Sequence, residues 1–199
     1  MKKVLAFPLV LLLFVTACSN DEDVFPSLIS EMADILTDED GTLYQLHTDS
    51  EKTYQLTNPV AGYKPSVAYR VLADYTDMGN GMATLYQLTP AYILRDSTGC
   101  AQTHPTGILS AWRASRYINL HLTPKTQGGK MYFGFLIDSI RPGKAFLSLH
   151  HNQHSDPLSY TQEVYASLPV DSIPGIQEGD SISLTVRTFD GQKTWCFKK

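Results

Sequence analysis

Apolar and polar residues alternate with a period of two in short runs along this chain, and glycine, proline, asparagine and aspartate separate the runs. Half-buried strands joined by turns give this pattern. The spacing predicts five strands in the first half, over 29–36, 42–47, 52–57, 66–75 and 82–94, with turns at Asp38-Glu39-Asp40-Gly41, Asn58-Pro59, Gly62 to Pro65 and Met78-Gly79-Asn80-Gly81. In the fourth run Val67, Tyr69, Val71, Ala73 and Tyr75 share one face and read as a core stripe. Seven more strands are expected over 108–114, 117–122, 131–137, 145–151, 160–168, 181–188 and 194–198, between turns such as Arg141-Pro142-Gly143 and Asp190-Gly191. Tyr160, Val164 and Leu168 also fit a helical spacing; a strand is expected there. Residues 95–107 are rich in Asp, Ser, Thr, Gly and Pro and read as a linker between the two groups.

One segment breaks the pattern. Lys2 and Lys3 precede an apolar run over 4–15, followed by Thr16, Ala17 and Cys18. A positive start, a short apolar stretch and small residues before a cut site make a secretory signal. The run is well short of the roughly 20 apolar residues that span a bilayer. The residues before Cys18 resemble the lipobox of bacterial lipoproteins. That resemblance implies that Cys18 becomes the mature N-terminus and carries the acyl chains, palmitate among them, which tether the protein to a membrane; two or more chains anchor stably where one does not. Asp21, Glu22 and Asp23 follow, and an acidic cluster there is similar to the surface-export signal of Bacteroidota lipoproteins. The expected location is the outer membrane, facing outward. The cluster also reads as a solvated linker.

Loss of 1–17 removes Lys2 and Lys3 and no acidic residue, taking the formal charge from -4 to -6. Binding to a phosphate backbone draws on Lys and Arg, so no nucleic-acid partner is expected. Cys100 and Cys196 are an even pair in an oxidising compartment, a candidate disulfide or two buried free thiols. Neither has a recognisable neighbouring base of the kind a nucleophilic cysteine needs.

With the lipobox and acidic leader, the strand patterns Asp40-Gly41-Thr42-Leu43-Tyr44-Gln45-Leu46, Trp112, Tyr117-Ile118-Asn119-Leu120 and Leu147-Ser148-Leu149-His150-His151-Asn152 resemble the NigD-like lipoproteins of Bacteroidota. The resemblance implies an all-β protein, with an N-terminal five-stranded OB-like barrel followed by a C-terminal antiparallel β-sandwich. It supplies no catalytic residues. The expected organisation is a signal peptide over 1–17, an acidic tether over 18–27, the barrel over 28–96 and the sandwich over 97–199.

Two sets of side chains carry candidate chemistry. His150, His151, His154 and Asp156 lie within seven residues, and His151, His154 and Asp156 could ligate a transition metal. Strand alternation sends His150 and His151 to opposite faces, and Asn, Gln, Ser and Asp-Pro suit a strand end, so a structural turn is expected, with no metal or cofactor. Tyr44, Tyr54 and Tyr86 belong to a tyrosine-rich first half. On an open barrel face such rings could stack on a sugar; their alternating positions equally suit a core. The expected function is non-catalytic binding of a glycan or envelope protein. The alternatives are a metal-dependent or other enzyme using 150–156, and a structural envelope component.

Overall fold

The computed structural model describes residues 27–100, 103–114 and 116–199. The expected signal peptide, Cys18 and the expected tether up to residue 26 lie outside the described residues.

The five expected strands of the first half form as β1 (Leu28–Thr37), β2 (Leu43–Thr48), β3 (Thr53–Val60), β4 (Ala68–Gly79) and β5 (Met82–Ile93). Antiparallel ladders join β1 to β2, β2 to β3, β1 to β4 and β4 to β5. A short parallel pairing, Gln55 with Met82 and Leu56 with Ala83, closes the ring between β3 and β5. Its interior holds Ile35, Leu46, Tyr54, Val71, Ala73 and Tyr75. The stripe on β4 thus points inward at Val71, Ala73 and Tyr75, while Val67 and Tyr69 stay half-buried near the start of the strand. Gly41 turns the chain between β1 and β2 with φ +78, a left-handed conformation that suits glycine.

The second group comprises β6 (Gly107–Ala114), β7 (Tyr117–Thr123), β8 (Lys125–Thr126), β9 (Tyr132–Arg141), β10 (Lys144–Asn152), β11 (Tyr160–Thr161), β12 (Val164–Pro169), β13 (Ser181–Thr188) and β14 (Gly191–Lys198). The expected strand over 160–168 is split into β11 and β12, and β8 pairs with β11. Strands β14-β13-β10-β9 make one layer and the end of β5 with β12-β7-β6 makes the other. Leu120, Leu122, Phe135, Leu147, Leu149 and Leu184 fill the space between them. Most ladders are antiparallel; β10 with β13 and β5 with β12 run parallel.

Strand β5 is the joint. Its first part pairs with β4 in the ring, and its last residues, Ala91 to Ile93, pair with Tyr165 to Ser167 of β12. One eight-stranded sheet therefore runs through both halves. Beyond β5 the chain crosses to β9, where the Ser97 amide donates to the Phe135 carbonyl and the Phe135 amide donates to the Arg95 carbonyl. Gly134 permits that close passage, since a Cβ there would meet the Ser97 hydroxyl and lie 2.8 Å from the Arg95 carbonyl.

Candidate functional site

The sheet bends so that the outer faces of β1 and β4 oppose the outer faces of β7 and β12. In a solvated sheet those faces would carry free polar residues; here they meet each other. Arg70 of β4 lies at the centre, with 1% of its side chain exposed. Its Nη2 donates to Asp49 Oδ2 at 2.6 Å and to Asn119 Oδ1 at 3.0 Å, its Nε donates to Ser167 Oγ at 2.9 Å, and its Nη1 reaches Asp34 Oδ1 at 3.4 Å. The Ser167 hydroxyl donates to Asn119 Oδ1, and Asn119 Nδ2 donates to Asp49 Oδ2. Arg116 donates to Asp34 Oδ2 at 2.6 Å, and the Tyr117 hydroxyl also points at that carboxylate. The Arg70 guanidinium stacks 3.9 Å from the Tyr117 ring centre. Burial, and then the Asp34 charge, push the Tyr117 phenol up. Each buried charge thus has a partner from the opposing half.

Beside this network a cleft of about 450 Å³ opens between the halves. Met32 of β1, Leu72 of β4, and Trp112 and Ala114 of β6 give it apolar walls. Ser30, Glu31, Asp49 and Ser50 give it polar ones. Strand β6 is the edge of the sheet, which leaves Trp112 only partly covered. Asp49 belongs both to the cleft and to the Arg70 network, so the wall is fixed from beneath. Two other depressions have similar volume, one around Asp38, Glu39 and Tyr44 and one around Lys130, His154 and Asp156. The junction cleft combines a large aromatic side chain with polar groups converging from separate elements, the usual make-up of a ligand site.

The residues singled out in the sequence are dispersed. Tyr54 is a core residue, 3% exposed, packed on Tyr75 and donating its hydroxyl to Asp77 Oδ2; its inward position on β3 removes it from any ligand face. Tyr44 lines the depression near Asp38, and Tyr86 is 60% exposed at an irregularity of β5. The three do not form one platform. Cys100 and Cys196 are free and exposed, which corrects the candidate disulfide and the buried-thiol alternative together. Cys196 lies on β14, while Cys100 follows the turn beside β9. These strands are opposite edges of a four-stranded layer, roughly 14 Å apart at the usual strand spacing, twice the Cα separation a disulfide tolerates.

His151, His154 and Asp156 do not come together as a ligand set. His151 is fully buried and stacks on Phe133 at 4.6 Å, His154 sits in the following turn with φ +53, and Asp156 accepts hydrogen bonds from Thr126 Oγ1 and the Gln127 amide. Among the described residues no group of three or more His, Cys, Asp or Glu is placed to hold a metal ion. Gln153 ties the turn to β8 by donating to the Lys125 carbonyl.

Residues 93–198 match the model of the NigD-like C-terminal β-sandwich domain. The chain belongs to the NigD-like family. Among solved structures it is similar to a NigD-like immunity protein from Bacteroides caccae, at 21% identity and TM-score 0.68, covering 88% of this chain and 93% of that one. A protein named as toxin-related from Parabacteroides distasonis is also similar, at 15% identity and TM-score 0.68, covering 87% and 93%. A protein of unknown function from Bacteroides vulgatus follows at 17% and 0.66, covering 87% and 91%. At these identities the likeness is one of fold. No curated protein matches the chain.

Sequence reasoning singled out none of the polar residues of the Arg70 network, and quoted Trp112 and Asn119 only as parts of strand patterns. One weak signal was available. NigD-like strands β7 and β12 carry Asn119 and Ser167, short neutral polar residues, where a solvent-facing strand commonly carries charge.

Burial of His151 makes stability depend on pH. Desolvation pushes its imidazole from 6.5 down to about 4; the backbone of Pro105 and His104 opposes this without a hydrogen bond of ordinary geometry, and the charges of His104 and His150 reinforce it. Between pH 6.5 and 4 the unfolded chain then binds more protons at this site than the folded one, so the stabilisation is complete above 6.5 and is lost as pH falls towards 4. The shift corresponds to roughly 3 kcal/mol. Urea unfolding at pH 7 and pH 4.5 should show a loss of that order, and His151→Phe should remove most of the difference. An equal pH dependence in wild type and variant would contradict it.

Proposed function

We propose that this NigD-like protein is a lipid-anchored, outward-facing envelope protein that acts by binding, without catalysis, and that its ligand, a glycan or a segment of a partner protein, seats in the junction cleft. The observation that carries this reading is the cleft itself. Trp112 supplies a large, rigid contact surface of the kind that dominates binding energy, and the Arg70 network beneath holds the wall in place before the ligand arrives, which lowers the cost of binding. The cleft is made by both halves of the chain.

The anchor is supported by the lipobox-like residues before Cys18 and by a structural neighbour from Bacteroides fragilis, at TM-score 0.60, that is named as a candidate lipoprotein. No helix among the described residues is long and apolar enough to cross a membrane. The name immunity protein borne by the Bacteroides caccae structure favours a protein over a glycan as the partner. The metal-enzyme alternative loses its basis with the dispersal of His151, His154 and Asp156.

Two measurements test the proposal. The purified protein, presented to a glycan array and to solubilised envelope proteins, should retain a ligand that Trp112→Ala loses by tenfold or more; retention unchanged in that variant would move the site elsewhere. In cells, Cys18→Ala should leave the membrane fraction, and a variant that stays membrane-bound would refute lipid anchorage at Cys18.

A further inference from the structure

A sheet edge that is neither covered nor charged invites another strand, and natural proteins guard against this. Strand β3 closes on β5, β9 is bonded by the Ser97 amide and the Thr98 hydroxyl, and β14 carries Lys193 and Lys198. Strand β6 is different. It ends the eight-stranded sheet, and among the described residues no backbone group bonds it from its open side. The irregularity between Ile108 and Ser110 blunts only its start. From Ser110 to Ala114 it has no proline, lysine or acid, and Arg113 turns its side chain to the carbonyls of Lys198 and Tyr117.

The ladder with β7 fixes which backbone groups are open. Ala114 pairs with Tyr117 with only two residues between them in the sequence, so this pair exchanges ladder bonds, and so does Trp112 with Asn119. Ala111 and Arg113 alternate with them and direct their N–H and C=O groups away from β7. The side chains divide the same way. Trp112 and Ala114 line the junction cleft with Met32 and Leu72. Arg113 lies on the other face, where its Nε donates to the Lys198 carbonyl at 3.2 Å, so two basic residues border that side.

We propose that an extended segment of a partner protein adds to β6 as a further strand over 110–114, with apolar side chains entering the cleft beside Trp112 and an acidic one facing Arg113. The inference rests on the reading of the cleft as the binding site and states how the partner enters it. Main-chain bonds to Ala111 and Arg113 supply affinity, and the alternating side chains supply specificity. A glycan has no row of N–H and C=O groups at the strand spacing. A second copy fits poorly, since antiparallel pairing of two β6 strands centred on Trp112 makes their Arg113 side chains diagonal neighbours on one face, like charge near like charge.

The test is NMR with amide hydrogen exchange on the purified protein, following the Ala111 and Arg113 amides and the indole N–H of Trp112, which comparison with Trp195→Phe distinguishes from the other tryptophan. The probes are acetyl-Thr-Leu-Glu-Leu-Thr-amide, two versions of it methylated on the backbone nitrogen of Glu or of one Leu, a version with Lys for Glu, and a neutral tetrasaccharide. The parent peptide should protect both amides and shift the indole saturably. Methylating the Glu nitrogen, which faces β6, should weaken binding tenfold or more, while methylating the Leu nitrogen, which faces away, should not. The lysine version should bind more weakly, and rising salt should narrow that difference. Equal binding of the two methylated peptides would overturn the proposal with no variant of the protein involved. Concentration-dependent protection of the same amides without peptide, with a dimer in sedimentation, would overturn it in favour of a second copy. Saturation by the tetrasaccharide alone would overturn it while leaving the cleft as the binding site. Strand addition that Trp112→Ala leaves unchanged would uphold the added strand and count against the cleft.

Discussion

Arg70 is a full positive charge that the fold has removed from water, and the way it is matched decides how the two halves of the chain meet. Its partners come from both sides, Asp34 and Asp49 from the ring and Asn119 and Ser167 from the sandwich. A buried ion pair of this kind is weak evidence for extra stability, since desolvation offsets much of the attraction. Its asymmetry matters more. Losing one partner leaves an uncompensated charge in a dry interface, at a cost of about 3–5 kcal/mol, so other dockings of ring on sandwich that fail to supply Asn119 and Ser167 are penalised. An apolar contact of equal area would tolerate sliding. The network therefore fixes an orientation, and the cleft beside it inherits that geometry.

The covalent path points the same way. Strand β5 passes from the ring into the sandwich without interruption and pairs there with β12, while the following segment is pinned along β9. The joint is thus a strand with ladder partners on both sides of the boundary, backed by a polar contact across the bend. The segment read as a linker from its Asp, Ser, Thr, Gly and Pro content follows directly on the end of β5 and is held by β9 at Ser97 and Phe135. Composition recognises a departure from periodicity; it cannot tell a free linker from one bonded to a strand edge.

Much of the fold was legible because strand alternation and turn residues are local. The inward stripe of Val71, Ala73 and Tyr75 followed from period two alone, and the same rule places His151 in the core beside Phe133, away from His154. What was not legible depends on contacts distant in sequence. The ring closure of β3 on β5 and the parallel pairing of β10 with β13 leave no mark on either strand by itself. Arg70 alternates with the core stripe as an outward residue should, and only β7 and β12, brought over it by the bend of the same sheet, make it buried. Tyr54 and Tyr86 are alike by composition, yet one fills the ring and the other is exposed. The cleft was invisible for the same reason, since Met32 and Leu72 meet Trp112 only through the bend of the sheet.

The most direct test of this dependence is calorimetric unfolding of the wild type beside Arg70→Met, which keeps an apolar stem and removes the charge. If the network couples the halves, the wild type unfolds in a single transition whose calorimetric and van't Hoff enthalpies agree, and the variant loses about 3–5 kcal/mol and separates into two transitions. A single transition in the variant at the wild-type temperature would contradict the account.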